Sequence, residues 1–284
     1  RHSPRDERMK KTLRVAPWGG LLAIVVGAWL LGGCTTVTTE SQPMVPEMTP
    51  RANTSTDETD AAKRGRTRMD LASAYFERGQ MSTALEQIKL SIQADPTSGA
   101  AFNLRGLIYA NLGDQAQAEE SFHRALQINP RDADTMQNFG WYLCKENRYA
   151  DAQSLFNQAL AVPNYRNAPR TLRAQGVCQA RAGKLAEADT TLSRAYELDP
   201  ANPATAVDLS EVLYRRGEYE RARFYIRRVN SQQNVSNAQT LWLAARIEHR
   251  MGNQQGTDDF GTQLRNRFPD ARETALFQRG AFDE

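Results

Sequence analysis

The chain has 284 residues, 40% of them hydrophobic and 24% charged, with a formal net charge of +3. In the first 33 residues Arg1, Arg5, Arg8, Lys10, Lys11 and Arg14 stand against Asp6 and Glu7, a net of +4, so the remaining chain carries −1. That remainder has no excess positive charge to hold a phosphate backbone, and nucleic acid is excluded as an expected partner.

Met9 is the expected start, with residues 1–8 read as upstream sequence. Lys10, Lys11 and Arg14 form a positive segment ahead of an apolar run over residues 21–31. The run is short for a membrane span and has the flanks of a signal peptide. It closes on Leu31-Gly32-Gly33-Cys34, which resembles a bacterial lipobox. The resemblance implies cleavage before Cys34, lipidation of that cysteine and anchoring to a membrane leaflet. Thr35 stands where the inner-membrane retention residue Asp would be, which implies outer-membrane sorting to the periplasmic face. Residues 1–33 are therefore expected to be a signal peptide. Residues 34–62, rich in Thr, Ser, Pro, Asp and Glu, read as a lipidated N-terminus and disordered tether. The roughly 28 residues after Cys34 would have a root-mean-square reach of roughly 30 Å.

From about Lys63 onward the chain reads as helices. Residues 99–130 hold two amphipathic helices, with Phe102, Gly106 and Tyr109 in the first and Ala118, Phe122 and Ala125 in the second. Gly113-Asp114 supplies a turn and a cap between them, and Asn129-Pro130 ends the second. So short a pair cannot bury its apolar face alone, and copies flank it. Asp95-Pro96 and Asn129-Pro130 lie 34 residues apart, with further helix stops at Pro163-Asn164 and Asp199-Pro200.

Three positions recur through five units. A small residue in the first (A) helix appears as Ala72, Gly106, Gly140, Gly176 and Ser210. A small residue in the second (B) helix appears as Ala84, Ala118, Ala152, Ala188 and Ala222, and a bulky one four places later as Ile88, Phe122, Phe156, Leu192 and Ile226. Small residues admit a close neighbour, and bulky ones fill the gap beside them. This is the tetratricopeptide pattern. The expected fold is all-α, a right-handed superhelical solenoid. Its repeats are expected at about 65–98, 99–132, 133–166, 169–202, 203–236 and 237–268, the last degenerate with Gly256 at the small position. A capping helix over 269–280 is expected to hide the last apolar face. The joint over residues 162–169 is longer than the others and carries two prolines.

Nothing in the chain assembles a catalytic set. His123 and His249 stand singly in helical segments without metal-ligand spacing, and no glycine-rich phosphate loop or Gly-x-Ser-x-Gly elbow occurs. No cofactor, metal or small-molecule substrate is expected, and the chain is not read as an enzyme. Cys144 and Cys178 lie in the A helices of adjacent repeats, which pack side by side in such a stack. They are either a disulfide stapling two repeats or two buried thiols; a Cα separation above about 7 Å would exclude the bond. The second, fifth, ninth, twelfth and thirteenth repeat positions of the A helices face the concave surface. They supply Phe76, Asn103, Leu107, Asn111, Trp141, Lys145, Arg173, Val177, Arg181 and Tyr214, with Met69, Gln137 and Val207 beside them. Aromatic residues edged by Asn, Lys and Arg suit the binding of a peptide or helix.

One stretch is more specific than the repeat. The run Asn138-Phe139-Gly140-Trp141-Tyr142-Leu143-Cys144, with the segment from Asn164 to its downstream cysteine Cys178, resembles the PilF/PilW family of type IV pilus biogenesis lipoproteins. These are the pilotins of the pilus secretin. The resemblance covers lipobox, tether and repeats. It implies a role in outer-membrane localisation and multimerisation of the secretin, with the secretin subunit as partner and no cofactor. The alternative is a periplasmic scaffold lipoprotein that recruits cell-wall hydrolases or proteases.

Overall fold

A computed structural model describes residues 59–283. The expected signal peptide, the expected lipidation site Cys34 and nearly all of the expected tether lie outside the described residues.

The described residues form thirteen helices and no strand. Six pairs follow one another: α1 (Asp60–Glu77) with α2 (Met81–Ala94), α3 (Gly99–Leu112) with α4 (Gln115–Ile128), and α5 (Ala133–Lys145) with α6 (Tyr149–Leu160). Then come α7 (Ala168–Arg181) with α8 (Leu185–Leu198), α9 (Pro203–Arg215) with α10 (Tyr219–Asn230), and α11 (Ala238–Arg250) with α12 (Gln254–Arg267). A short α13 (Arg272–Gln278) closes the stack. Each first helix packs on its own partner, on the second helix of the preceding pair, and on the first helix of the next. The backbones of successive second helices stay apart, and α8 and α10 meet only through side chains such as Tyr196 and Tyr225, so the first helices form the closely spaced inner layer of a superhelical solenoid.

The spacing of small and bulky residues accounts for this packing. A Cβ at Gly106 would come within 2.8 Å of the Phe122 ring, and one at Gly176 within 2.6 Å of Leu192. The glycines are there because the partner side chain lies flat on the helix backbone. Ala72, Ala84, Ala118, Ala152, Ala188 and Ala222 are fully buried, as are Ile88, Phe122, Phe156 and Leu192. Gly79, Gly113, Gly183, Gly217 and Gly252 turn one helix into the next with positive φ; in the third pair Asn147 takes that conformation at φ 62°, which Asn tolerates better than other side chains. Asp114 caps α4 by accepting from the Gln117 amide.

Two boundaries differ from expectation. The first helix begins at Asp60, three residues before Lys63, because the Thr59 hydroxyl caps it by accepting from the Ala62 amide. The capping helix is seven residues, and its work is done by Phe277, whose ring occupies the space a side chain at Gly261 would need. Phe282 then stacks on Trp242 and His249. The long joint is folded. Val162 and Tyr165 pack on Ala133, Met136 and Ala159, and the Tyr165 hydroxyl reaches Asp134 Oδ1 at 3.0 Å and Thr171 at 2.9 Å.

Candidate protein-binding site

The inner layer carries two adjoining hollows, of about 290 and 440 Å³. The first is lined by Gln137 and Trp141 of α5, Arg170, Arg173, Ala174 and Val177 of α7, and Asp208 of α9. Helical spacing explains the set: 137 and 141, and 170, 173, 174 and 177, each fall on one face of a helix. The second is lined by Val207, Asp208 and Glu211 of α9 with Gln239, Thr240 and Leu243 of α11, closed by Pro203, Ala204, Val235, Asn237 and Arg173. Arg173 and Asp208 belong to both, so a single ion pair forms the sill between them. Arg173 Nε donates to Asp208 Oδ2 at 2.6 Å. Burial pushes the Asp208 carboxyl above the ordinary carboxylate range, and the attraction of Arg173 offsets only part of that.

Gln137 is only 4% exposed, and its Oε1 has no hydrogen-bond partner among the described residues. A buried acceptor left empty costs about 1–3 kcal/mol, so this atom favours a ligand that brings a donor. Leading into the first hollow, Asn138 Nδ2 donates to Asn103 Oδ1 at 3.2 Å, and Arg170 reaches Asn138 Oδ1 at 3.4 Å. The arrangement offers apolar sockets, amides and ions. It has no nucleophile paired with a base, and among the described residues no group of three or more His, Cys, Asp or Glu could hold a metal. Among the described residues no helix is long and apolar enough to cross a membrane.

Of the residues expected on the inner face, Trp141, Arg173 and Val177 line the first hollow. Asn103 joins the amide chain, and Asn111 is exposed and donates to the Leu107 carbonyl at 2.8 Å. Lys145 and Arg181 are exposed. Leu107 is half-buried against the Phe122–Phe139 cluster, and Phe76 is half-buried against the first-repeat core; neither lines a hollow. Tyr214 is a correction. Its ring is 8% exposed, packs on Tyr219 at 5.6 Å and lies under the Arg246 guanidinium at 4.6 Å, so it is core rather than groove wall. Arg170, Asp208 and Glu211 were not expected. The one signal for Asp208 is its distance of 35 residues from Arg173, close to one repeat, which brings the two onto neighbouring first helices.

Cys144 and Cys178 are joined as a disulfide, with Cα atoms 5.8 Å apart. The bond ties α5 to α7, the two helices that carry Trp141 and Val177. Both cysteines are buried beside Tyr142 and Leu143.

Comparisons with known proteins agree with the repeat architecture. Three tetratricopeptide-repeat family models match, over residues 97–164, 138–203 and 179–245. The chain belongs to the tetratricopeptide-repeat family. It is 24% identical over 210 residues to the type IV pilus assembly protein PilF of Pseudomonas aeruginosa, covering 74% of this chain and 83% of that one. The crystal structure of PilW, described as a widely conserved type IV pilus biogenesis factor, superposes with a TM-score of 0.70 at 29% identity. The match covers 75% of this chain and 97% of PilW. The solved structure of P. aeruginosa PilF superposes at 0.68 with 23% identity, over 78% of this chain and all of that one. The chain is thus a tetratricopeptide homologue of the PilF/PilW type IV pilus biogenesis proteins.

Proposed function

We propose that the protein acts in type IV pilus biogenesis as an outer-membrane lipoprotein that grips a secretin subunit on its inner face and promotes assembly of the secretin ring. The observation that carries this reading is the pair of hollows across α5, α7, α9 and α11, with a half-buried Trp141 and an unpartnered Gln137 acceptor, on a chain homologous to PilF. An aromatic anchor in a concave socket beside unsatisfied polar atoms is the chemistry of a peptide grip. A lipid on Cys34 would hold the grip at the periplasmic face of the outer membrane. There it would raise the local concentration of subunits and favour their closure into rings.

The test uses the full chain expressed beside the secretin in a piliated host. Cys34→Ser is expected to leave a folded protein and deplete secretin multimers from the outer membrane. Trp141→Ala is expected to weaken secretin capture about tenfold with little change in folding. Capture of cell-wall hydrolases instead of secretin, or full secretin assembly with either variant, overturns the proposal.

A further inference from the structure

The two hollows differ in charge. The ionisable residues lining the first are Arg170, Arg173 and Asp208, a net of +1; those lining the second are Arg173, Asp208 and Glu211, a net of −1. Glu211 is half-buried beside Val207 and Leu243 and has no ion-pair partner among the described residues. The Asp208 carboxylate is already taken by Arg173. Each hollow therefore holds one unanswered acceptor: Gln137 Oε1 in the first and the Glu211 carboxylate in the second. A half-buried carboxylate with no cation beside it favours an incoming cation and disfavours an anion.

We infer that the two hollows take one extended segment of a partner protein, with an apolar side chain seated between Trp141 and Val177 and a Lys or Arg side chain at Glu211. The inference rests on the reading of the inner face as the partner-binding groove. Trp141 and Val177 lie on α5 and α7 and Glu211 on α9, so the apolar socket and the carboxylate are about one and a half inner-helix spacings apart, roughly 12–15 Å at about 8–10 Å between axes. An extended chain advances about 3.3 Å per residue. The apolar anchor and the base are therefore about four residues apart, and a main-chain N–H beside the anchor meets Gln137. An acidic residue in place of the base would face Glu211 and be rejected.

The probe is a set of acetylated, amidated pentapeptides, Leu-Ser-Ser-Ser-Lys, Leu-Ser-Ser-Ser-Gln and Leu-Ser-Ser-Ser-Glu, titrated into the full chain and followed by chemical shifts of the Trp141 indole and the Glu211 amide. The Lys peptide is expected to bind about fivefold more tightly than the Gln peptide, with the Glu peptide weakest. Glu211→Gln is expected to erase that order. Gln137→Met is expected to weaken all three peptides equally and keep the order; should that variant not fold, Glu211→Gln alone decides. Equal binding of the three peptides, or a Lys preference that survives Glu211→Gln, overturns the inference. Secretin capture separates it from the functional proposal. Normal capture by a Glu211→Lys chain removes the inference and leaves the function standing. A Lys preference in a chain that captures no secretin does the reverse.

Discussion

The two ends of the solenoid join their repeats by different chemistry. From α3 to α7 the joints are apolar and covalent. Phe122 stacks on Phe139 at 5.1 Å and lies 5.8 Å from Tyr142, and the Cys144–Cys178 bond crosses to the next repeat. From α8 to α12 an apolar core that includes Leu192, Leu213, Ile226 and Ile247 is joined by buried carboxylates clasped by arginines. Asp189 of α8 accepts from Arg216 and Arg221, and Glu248 of α11, 1% exposed, accepts from Arg223 and Arg227 of α10. The same fold thus adds a disulfide to its apolar packing in one half and directional buried ion pairs to its apolar packing in the other. The lesson is that the repeat pattern specifies which helices meet, while each joint is free to choose how they hold. The buried carboxylate clasps are the joints that acid can loosen, because protonation removes their charge.

The largest expected effect comes from stranding Glu248. Arg223→Met with Arg227→Met leaves a carboxylate buried without its cations, and is expected to cost about 3–5 kcal/mol in urea unfolding followed by Trp242 fluorescence. Adding Glu248→Gln should recover a large part of the loss. If it recovers none, the arginines act through packing, and the contrast between the halves weakens. The second effect tests the other half. Reduction of the disulfide, or the pair Cys144→Ser and Cys178→Ser, is expected to cost about 3 kcal/mol by loosening the unfolded loop. An unchanged midpoint would mean that the apolar joint holds by itself.

A smaller effect separates the halves by pH. Burial alone would raise the Asp189 carboxyl, but the Arg221 and Ser193 hydrogen bonds and the charge of Arg216 hold it below its ordinary value. Its pKa is depressed in the folded state, so its contribution is present above the unfolded carboxylate value of about 4 and is lost as pH falls through the folded one. Asp189→Asn is therefore expected to cost about 2 kcal/mol at pH 7. The gap from the unaltered protein should close progressively below about pH 4. A gap independent of pH would assign the loss to shape rather than charge.

The sequence made the frame legible and left the polar details hidden, for physical reasons. Gly106 facing Phe122 and Gly176 facing Leu192 are readable because a close approach permits only a small residue at a fixed distance from a bulky one. The Cys144–Cys178 separation of 34 residues carries the same periodicity. Tyr214 was misplaced because position in a repeat gives the face of the helix but not what covers it. Arg246 and Tyr219 come from neighbouring elements and close over the ring. Asp208 and Glu211 carry no motif; they become a site only when α9 sets them beside α7 and α11. The start of α1 was displaced by three residues because Ala61 and Ala62 read as the end of a polar stretch, although Thr59 and Asp60 hold the cap and the first-turn acid.

The mildest test falls on a polar contact inside the first half, at the long joint before α7. Tyr165 sits there with its hydroxyl between Asp134 and Thr171, and burial pushes it up to about 12. Asn167 donates to the same Asp134 oxygen at 2.9 Å, so the carboxylate keeps one partner without the phenol. Tyr165→Phe retains the ring against Met136 and Ala159 and removes only the two hydroxyl contacts. The expected loss is about 1 kcal/mol at neutral pH. Asp134→Asn combined with Tyr165→Phe should cost little more than either alone, because both changes break one shared network. Additive losses would show that the joint is held by independent contacts rather than by one shared polar network.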